Sequence, residues 1–197
     1  MSKPTLWVLS GGNGAGKSTF YRLILEPLGV PFVNADLVAR VIDPDDPEGA
    51  SYAAARLAEN FRQSMLEARV SFCFETVFSH PSKIDFIASA RSLGYCINLV
   101  YVGLGDSSLN EARVAQRVSE GGHSVPPDKI RDRIPRTLNN VCAAVPLVDG
   151  FIVVDNSSKS DPLRELCRVT NGALTVANPS KTLPDWALAL LPPEIHP

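Results

Sequence analysis

The chain has 197 residues, 45% of them hydrophobic and 20% charged, with a formal net charge of -2. That length suits one well-packed domain (residues 1–197), and the slightly acidic balance argues against DNA or RNA as the main partner. No apolar stretch is long enough to span a bilayer, which argues against a membrane partner.

The N-terminal Met1-Ser2-Lys3-Pro4 leads directly into the first strand pattern and leaves no room for a signal peptide. Cys73, Cys96, Cys142 and Cys167 form no C-x-x-C pair, which fits buried free thiols in a reducing compartment. A cytoplasmic location is expected.

In chain order, apolar strands alternate with helical periodicity, the signature of an α/β domain with a mainly parallel, five-stranded sheet. Thr5–Ser10 reads T-L-W-V-L-S, a short run suited to a strand covered on both faces. After a glycine-rich turn, residues 17–26 predict a helix packing Phe20, Leu23 and Ile24 inward. A strand over 31–34 and a helix over 35–41 follow, then a Pro- and Asp-rich loop over 43–49. Next come a helix over 52–69, a strand over 71–75 and a helix over 82–93, with Gly94 as its C-cap. His80, just before Pro81, reads as a helix-capping or surface side chain.

A strand over 96–102 precedes a helix over 109–120, opened by a Ser108-to-Glu111 capping box and closed by Gly121-Gly122. Pro135 is expected to kink or split the helix over 128–145. After a strand over 151–154, segments 165–170 and 173–177 flank Asn171-Gly172, which predicts a hairpin with a type I′ turn. The proline-rich tail, 178–197, is expected to be irregular.

Three features carry chemistry. Gly11-Gly12-Asn13-Gly14-Ala15-Gly16-Lys17-Ser18-Thr19 fits G-x-x-x-x-G-K-[ST] between a strand and a helix, the setting of a P-loop. Its backbone N–H groups would cradle a nucleotide triphosphate, Lys17 would reach the β- and γ-phosphates, and Ser18 would ligate magnesium. Two acids stand at strand ends. Asp36 is either a base for an attacking hydroxyl or an N-cap or first-turn carboxylate stabilising the helix that follows. Glu75 is either a Walker-B-type acid orienting magnesium, a partner for a substrate hydroxyl, or a solvated strand end. Arginines 113, 117, 131, 133 and 136 mark residues 107–145 as a helical lid able to bring positive charge to a transferring phosphate. The loop at Asn156-Ser157-Ser158 is expected to form part of an adenine pocket.

The P-loop, Asn34-Ala35-Asp36, Phe74-Glu75-Thr76, and Arg117 followed by Gly121-Gly122-His123-Ser124-Val125-Pro126 together resemble the zeta toxin family, in particular its small stand-alone members. The resemblance runs from the first strand to about Ser157. It implies a three-layer P-loop NTPase sandwich, akin to nucleoside monophosphate kinases, that transfers the ATP γ-phosphate to a sugar hydroxyl. The implied acceptor is a nucleotide sugar such as UDP-N-acetylglucosamine, with ATP as donor and Mg2+ as cofactor. By the same resemblance Asp36 is the base, Lys17, Arg117 and one of Arg131 or Arg133 neutralise phosphate charge, and Glu75 and Thr76 contact the acceptor. Thr76-Val77-Phe78-Ser79-His80 departs from the glycine-containing turn of the proven toxins. An antitoxin partner is a property of the family that no segment of this sequence marks. Two other classes fit the P-loop: an ATPase whose acceptor is water, and a nucleotide-dependent binding module.

Overall fold

The computed structural model describes residues 3–119, 125–178 and 182–195. Five parallel strands, β1 (Thr5–Ser10), β2 (Phe32–Val33), β3 (Phe72–Thr76), β4 (Cys96–Gly103) and β5 (Gly150–Asp155), form the body of one sheet. The hairpin of β6 (Arg164–Thr170) and β7 (Ala173–Val176) adds antiparallel to β5, so the sheet has seven strands in the order β2-β3-β1-β4-β5-β6-β7, not five. Asn171 and Gly172, with φ of 50° and 80°, supply the two left-handed residues that a type I′ turn requires.

The helices are α1 (Lys17–Phe20), α2 (Ala35–Ile42), α3 (Ser51–Glu67), α4 (Ser82–Ser92), α5 (Ser107–Ser119), α6 (Pro127–Ala144) and α7 (Asp185–Leu188). Strand alternation sorts the core into two layers. Leu6, Val8, Phe72, Phe74, Leu99 and Phe151 pack under α3, α4, α6 and the C-terminal segment. Leu9, Cys73, Val100, Val102, Ile152 and Val154 pack under Phe20, Tyr21 and Leu25 on the opposite face. The result is a helix–sheet–helix sandwich.

Four local expectations change. The helix after the glycine-rich turn is α-helical only to Phe20; Tyr21–Leu25 then makes a π-helical turn and Glu26–Leu28 a 3-10 turn. A π turn inserts one extra residue and rotates the apolar stripe. Phe20, Tyr21 and Leu25 therefore enter the core, while Leu23 and Ile24 stay 61% and 47% exposed. The start of α5 is capped by Asp106, whose carboxylate accepts from Ser108 N at 2.9 Å and Ser108 Oγ at 2.7 Å, in place of the Ser108 capping box. Pro135 lies inside α6 without splitting it. The tail is not irregular: α7 and its flanks bury Leu183, Ala187, Leu190 and Leu191 in the larger core layer.

Other signals hold. Gly94, at φ 80°, follows α4 and donates to Arg91 O, while Tyr95 N donates to Ala90 O, a Schellman end. His80 Nδ1 accepts from Ser82 N at 3.2 Å at the start of α4. The four cysteines are free thiols, Cys73 and Cys167 fully buried. The glycine pair at 121–122 lies outside the described residues. Among the described residues no helix is long and apolar enough to cross a membrane.

Candidate active site

Strand register gathers the site. Leu9 pairs with Glu75, Ser10 with Thr76, and Val33 with Phe74. The loop after β1, the acid near the end of β3 and the helix after β2 thus share the carboxyl edge of three neighbouring strands, where open α/β sheets bind ligands. A cleft of about 510 Å³ lies there, lined by Lys17, Ser18, Asp36, Glu75, Arg113 and Arg117 among others.

The glycine-rich loop has the curl that a phosphate cradle needs. Gly11 and Gly16 sit at φ 139° and 102°, and a Cβ on Gly16 would run into Asn156 Nδ2. Lys17 is 7% exposed, and its Nζ donates to Gly11 O at 3.1 Å and Gly12 O at 3.0 Å. Burial lowers its pKa from the ordinary lysine value; Glu75 and Asp36 oppose that shift and Arg117 adds to it. An ammonium has three protons, so one remains for a ligand oxygen. Ser18 Oγ donates to Glu75 Oε2 at 2.6 Å, which joins the P-loop hydroxyl to the β3 acid at one point.

Asp36 is exposed to the cleft at the second position of α2. The capping role is filled by Asn34, 5% exposed, whose Oδ1 accepts from Asp36 N at 2.7 Å and Leu37 N at 3.2 Å. Asn34 thereby fixes the backbone from which Asp36 projects.

Residues far along the chain hold the loop in shape. Asn110 Nδ2 donates to Asn13 O at 2.7 Å, and Asn156 Nδ2 to Ala15 O at 2.8 Å. Arg113 Nη2 donates to Asn156 O at 2.8 Å. Arg133 Nη1 reaches Asn13 Oδ1 at 3.4 Å, whereas Arg131 pairs with Glu111 at 3.5 Å and ties α6 to α5. Of those two arginines, Arg133 is the one directed at the loop. Val114, Val125 and Ile130 pack together between α5 and α6.

The zeta toxin family profile matches residues 1–162. The chain belongs to the zeta toxin family. An uncharacterized protein of Haemophilus influenzae is 29% identical over 140 residues, 68% of this chain and 99% of that one. A structure from the PezAT chromosomal toxin-antitoxin system of Streptococcus pneumoniae matches with a TM-score of 0.61 at 14% identity, over 79% of this chain and 68% of that one. A crystal structure of the AvrRxo1-ORF1:-ORF2 complex with ATP matches with a TM-score of 0.71 at 18% identity, over 97% of this chain and 64% of that one. At such identities the structures speak to the fold. Family membership makes this zeta toxin family member an ATP-binding kinase.

Not every expected site residue faces the cleft in the same way. Thr76 Oγ1 accepts from Phe78 N at 3.0 Å, folding the turn after β3, where Phe78 is buried at φ 65°. This is a left-handed conformation that ordinarily favours glycine, held here from α6: Thr137 Oγ1 donates to Val77 O at 2.8 Å and Asn140 Nδ2 to Phe78 O at 3.0 Å. Asn156, of the segment expected at an adenine pocket, is buried and braces the P-loop through Ala15 O. Residues 120–124, with the Gly121-to-Ser124 part of the family motif, lie outside the described residues. Sequence reasoning missed Asn34, Asn110 and Asn156 as supports: Asn34, directly before the helix over 35–41, stands at the N-cap position that asparagine favours, whereas lone asparagines at 110 and 156 carry no periodic or spacing signal.

Proposed function

We propose that this kinase transfers the γ-phosphate of ATP to a hydroxyl of a nucleotide sugar such as UDP-N-acetylglucosamine, in the cytoplasm. The observation that carries the reading is Asp36: a carboxylate open to the P-loop cleft, its backbone fixed by Asn34, with no capping duty of its own. In the proposed reaction the acceptor hydroxyl oxygen bonds to the γ-phosphorus as the bond to the ADP oxygen breaks. Asp36 takes the hydroxyl proton. Lys17, Arg117 and Arg133 offset the charge spread over the phosphoryl oxygens, and Glu75 and Thr76 lie on the acceptor side.

Ser18 and Glu75 fit a magnesium ion that keeps most of its ligands as phosphate oxygens and waters, since Mg2+ in such sites uses only one or two protein groups. Consistently, no cluster of three or more acids, histidines or cysteines able to hold a metal occurs among the described residues. Bound there, the ion would neutralise charge on the β- and γ-phosphates.

The test follows labelled γ-phosphate across nucleotide sugars, nucleosides and water, with wild type beside Asp36→Asn. Label moving to UDP-N-acetylglucosamine, and falling about 100-fold or more in Asp36→Asn with ATP affinity retained, is the expected result. Release of free phosphate alone, at equal rates in both proteins, refutes it in favour of an ATPase.

A further inference from the structure

The cleft lining includes two arginines that the reaction above does not use. Arg22 lies one turn beyond Ser18 on the segment continuing α1, and Arg40 lies one turn beyond Asp36 on α2. Both line the cleft together with Phe32, whose ring is stacked at 3.9 Å against that of Tyr21 and whose partly exposed edge forms an apolar floor. Tyr21 is itself pinned by its hydroxyl, which donates to Val30 O at 2.7 Å. Among the described residues neither Arg22 nor Arg40 forms an ion pair.

The same cleft lining carries three acids, Glu26, Asp36 and Glu75. Three carboxylates facing one cavity repel an anionic acceptor unless fixed cations offset them. Of the other cations in that lining, Lys17 and Arg117 serve the transferring phosphate in the reaction above, and Arg113 is held by Asn156 O. Arg22 and Arg40 project from two different helices toward one space, so a phosphate between them would meet two planar forks of donors. A neutral sugar or nucleoside has no use for such a pair.

We propose that Arg22 and Arg40 form an anion clamp that reads a phosphate ester on the acceptor, selecting phosphorylated sugars over neutral ones. The assignment rests on the kinase reading above and adds the residues that set acceptor class. It places the acceptor phosphate on the α1–α2 side, with Phe32 beneath the adjoining ring and the reacting hydroxyl toward Asp36.

The experiment is equilibrium binding with the P-loop filled by β,γ-imido-ATP and magnesium, so that no added phosphate competes for the loop. Three probes are titrated: UDP-N-acetylglucosamine, N-acetylglucosamine 1-phosphate and N-acetylglucosamine. At least one phosphate-bearing probe should bind well above the neutral sugar, and R22Q and R40Q should each weaken it about tenfold or more. The affinity for β,γ-imido-ATP, unchanged in both variants, serves as the control for folding. A response from UDP-N-acetylglucosamine alone assigns the anion to a nucleotide diphosphate, and a response from both assigns it to any sugar phosphate. Equal affinity in wild type and variants, or no preference for phosphate, overturns the clamp. Transfer of label measured on the same samples separates the two readings. Transfer with variant affinities unchanged removes the clamp and keeps the kinase acceptor; arginine-dependent binding without transfer does the reverse.

Discussion

Replacing Asn156 by alanine tests whether the P-loop keeps its shape by itself or is held from outside. The backbone bonds of Asn156, its N to Gly103 O and its carbonyl from Arg113 Nη2, survive the substitution. Two side-chain bonds do not: Nδ2 to Ala15 O at 2.8 Å, and Oδ1 from Leu163 N at 3.2 Å. Each bond contributes about 1 kcal/mol net, and stranding the carbonyl of fully buried Ala15 costs about 1–3 kcal/mol in addition. Summed with some relaxation, Asn156→Ala should cost about 2–4 kcal/mol, a sizeable share of the 5–15 kcal/mol or so that a domain has. Urea unfolding should show the lower midpoint at unchanged slope, and β,γ-imido-ATP should bind more weakly because Gly16 and Ala15 lose their fixed position. Asn156→Asp keeps the acceptor for Leu163 but turns a carboxylate oxygen toward Ala15 O, so it should be no milder. A loss below about 0.5 kcal/mol with nucleotide affinity intact would refute the reasoning and show that the loop's own glycines suffice.

Three further outcomes are expected. Asn34→Ala should destabilise by about 1–2 kcal/mol through the lost cap and lower phosphate transfer, while Asn34→Ser, which can still cap, recovers most of both in parallel unfolding and transfer assays. Removing residues 178–197 should leave the chain unable to fold cooperatively by calorimetry, because Leu183, Leu190 and Leu191 each contribute about 1.5–3 kcal/mol of burial. Stability should fall as pH rises above 9: burial raises the pKa of the Cys73 thiol, of Cys167 to about 11 and of Tyr101 to about 12, so the unfolded chain loses these protons first. Lys17 and Lys83 work the other way, their lowered pKa values adding stability with pH up to the unfolded lysine value, but burial also raises Tyr21, Tyr95, Cys96 and Cys142, so the acids outnumber the lysines. Urea midpoints at pH 7, 9 and 10.5 check the net sign, and Cys167→Ala should flatten the decline.

The sequence by itself determined the parts of this protein that are local in the chain. A P-loop is legible because its glycines, lysine and serine act within nine residues, between an apolar strand and a helix start. The five parallel strands are legible because burial on both faces demands continuous apolar runs, and the β6–β7 turn because Asn-Gly is one of the few pairs that adopt left-handed φ twice. Asp36 and Glu75 were legible as strand-end acids, since the carboxyl edge of a parallel sheet is where such side chains converge.

Only the tertiary structure decided the rest. The π turn at Tyr21–Leu25 overrode the helical spacing of Leu23 and Ile24, because packing against the sheet, with Tyr21 stacked on Phe32, selects which face is buried. Asn110 and Asn156 reach the P-loop across 97 and 141 residues of chain, a separation at which no pattern in one sequence connects donor to acceptor. That Arg133 reaches Asn13 Oδ1 while Arg131 pairs with Glu111, and that Arg22 and Arg40 line one cleft, likewise depend on how helices dock. Charge in a sequence has a sign but no direction until the fold supplies it.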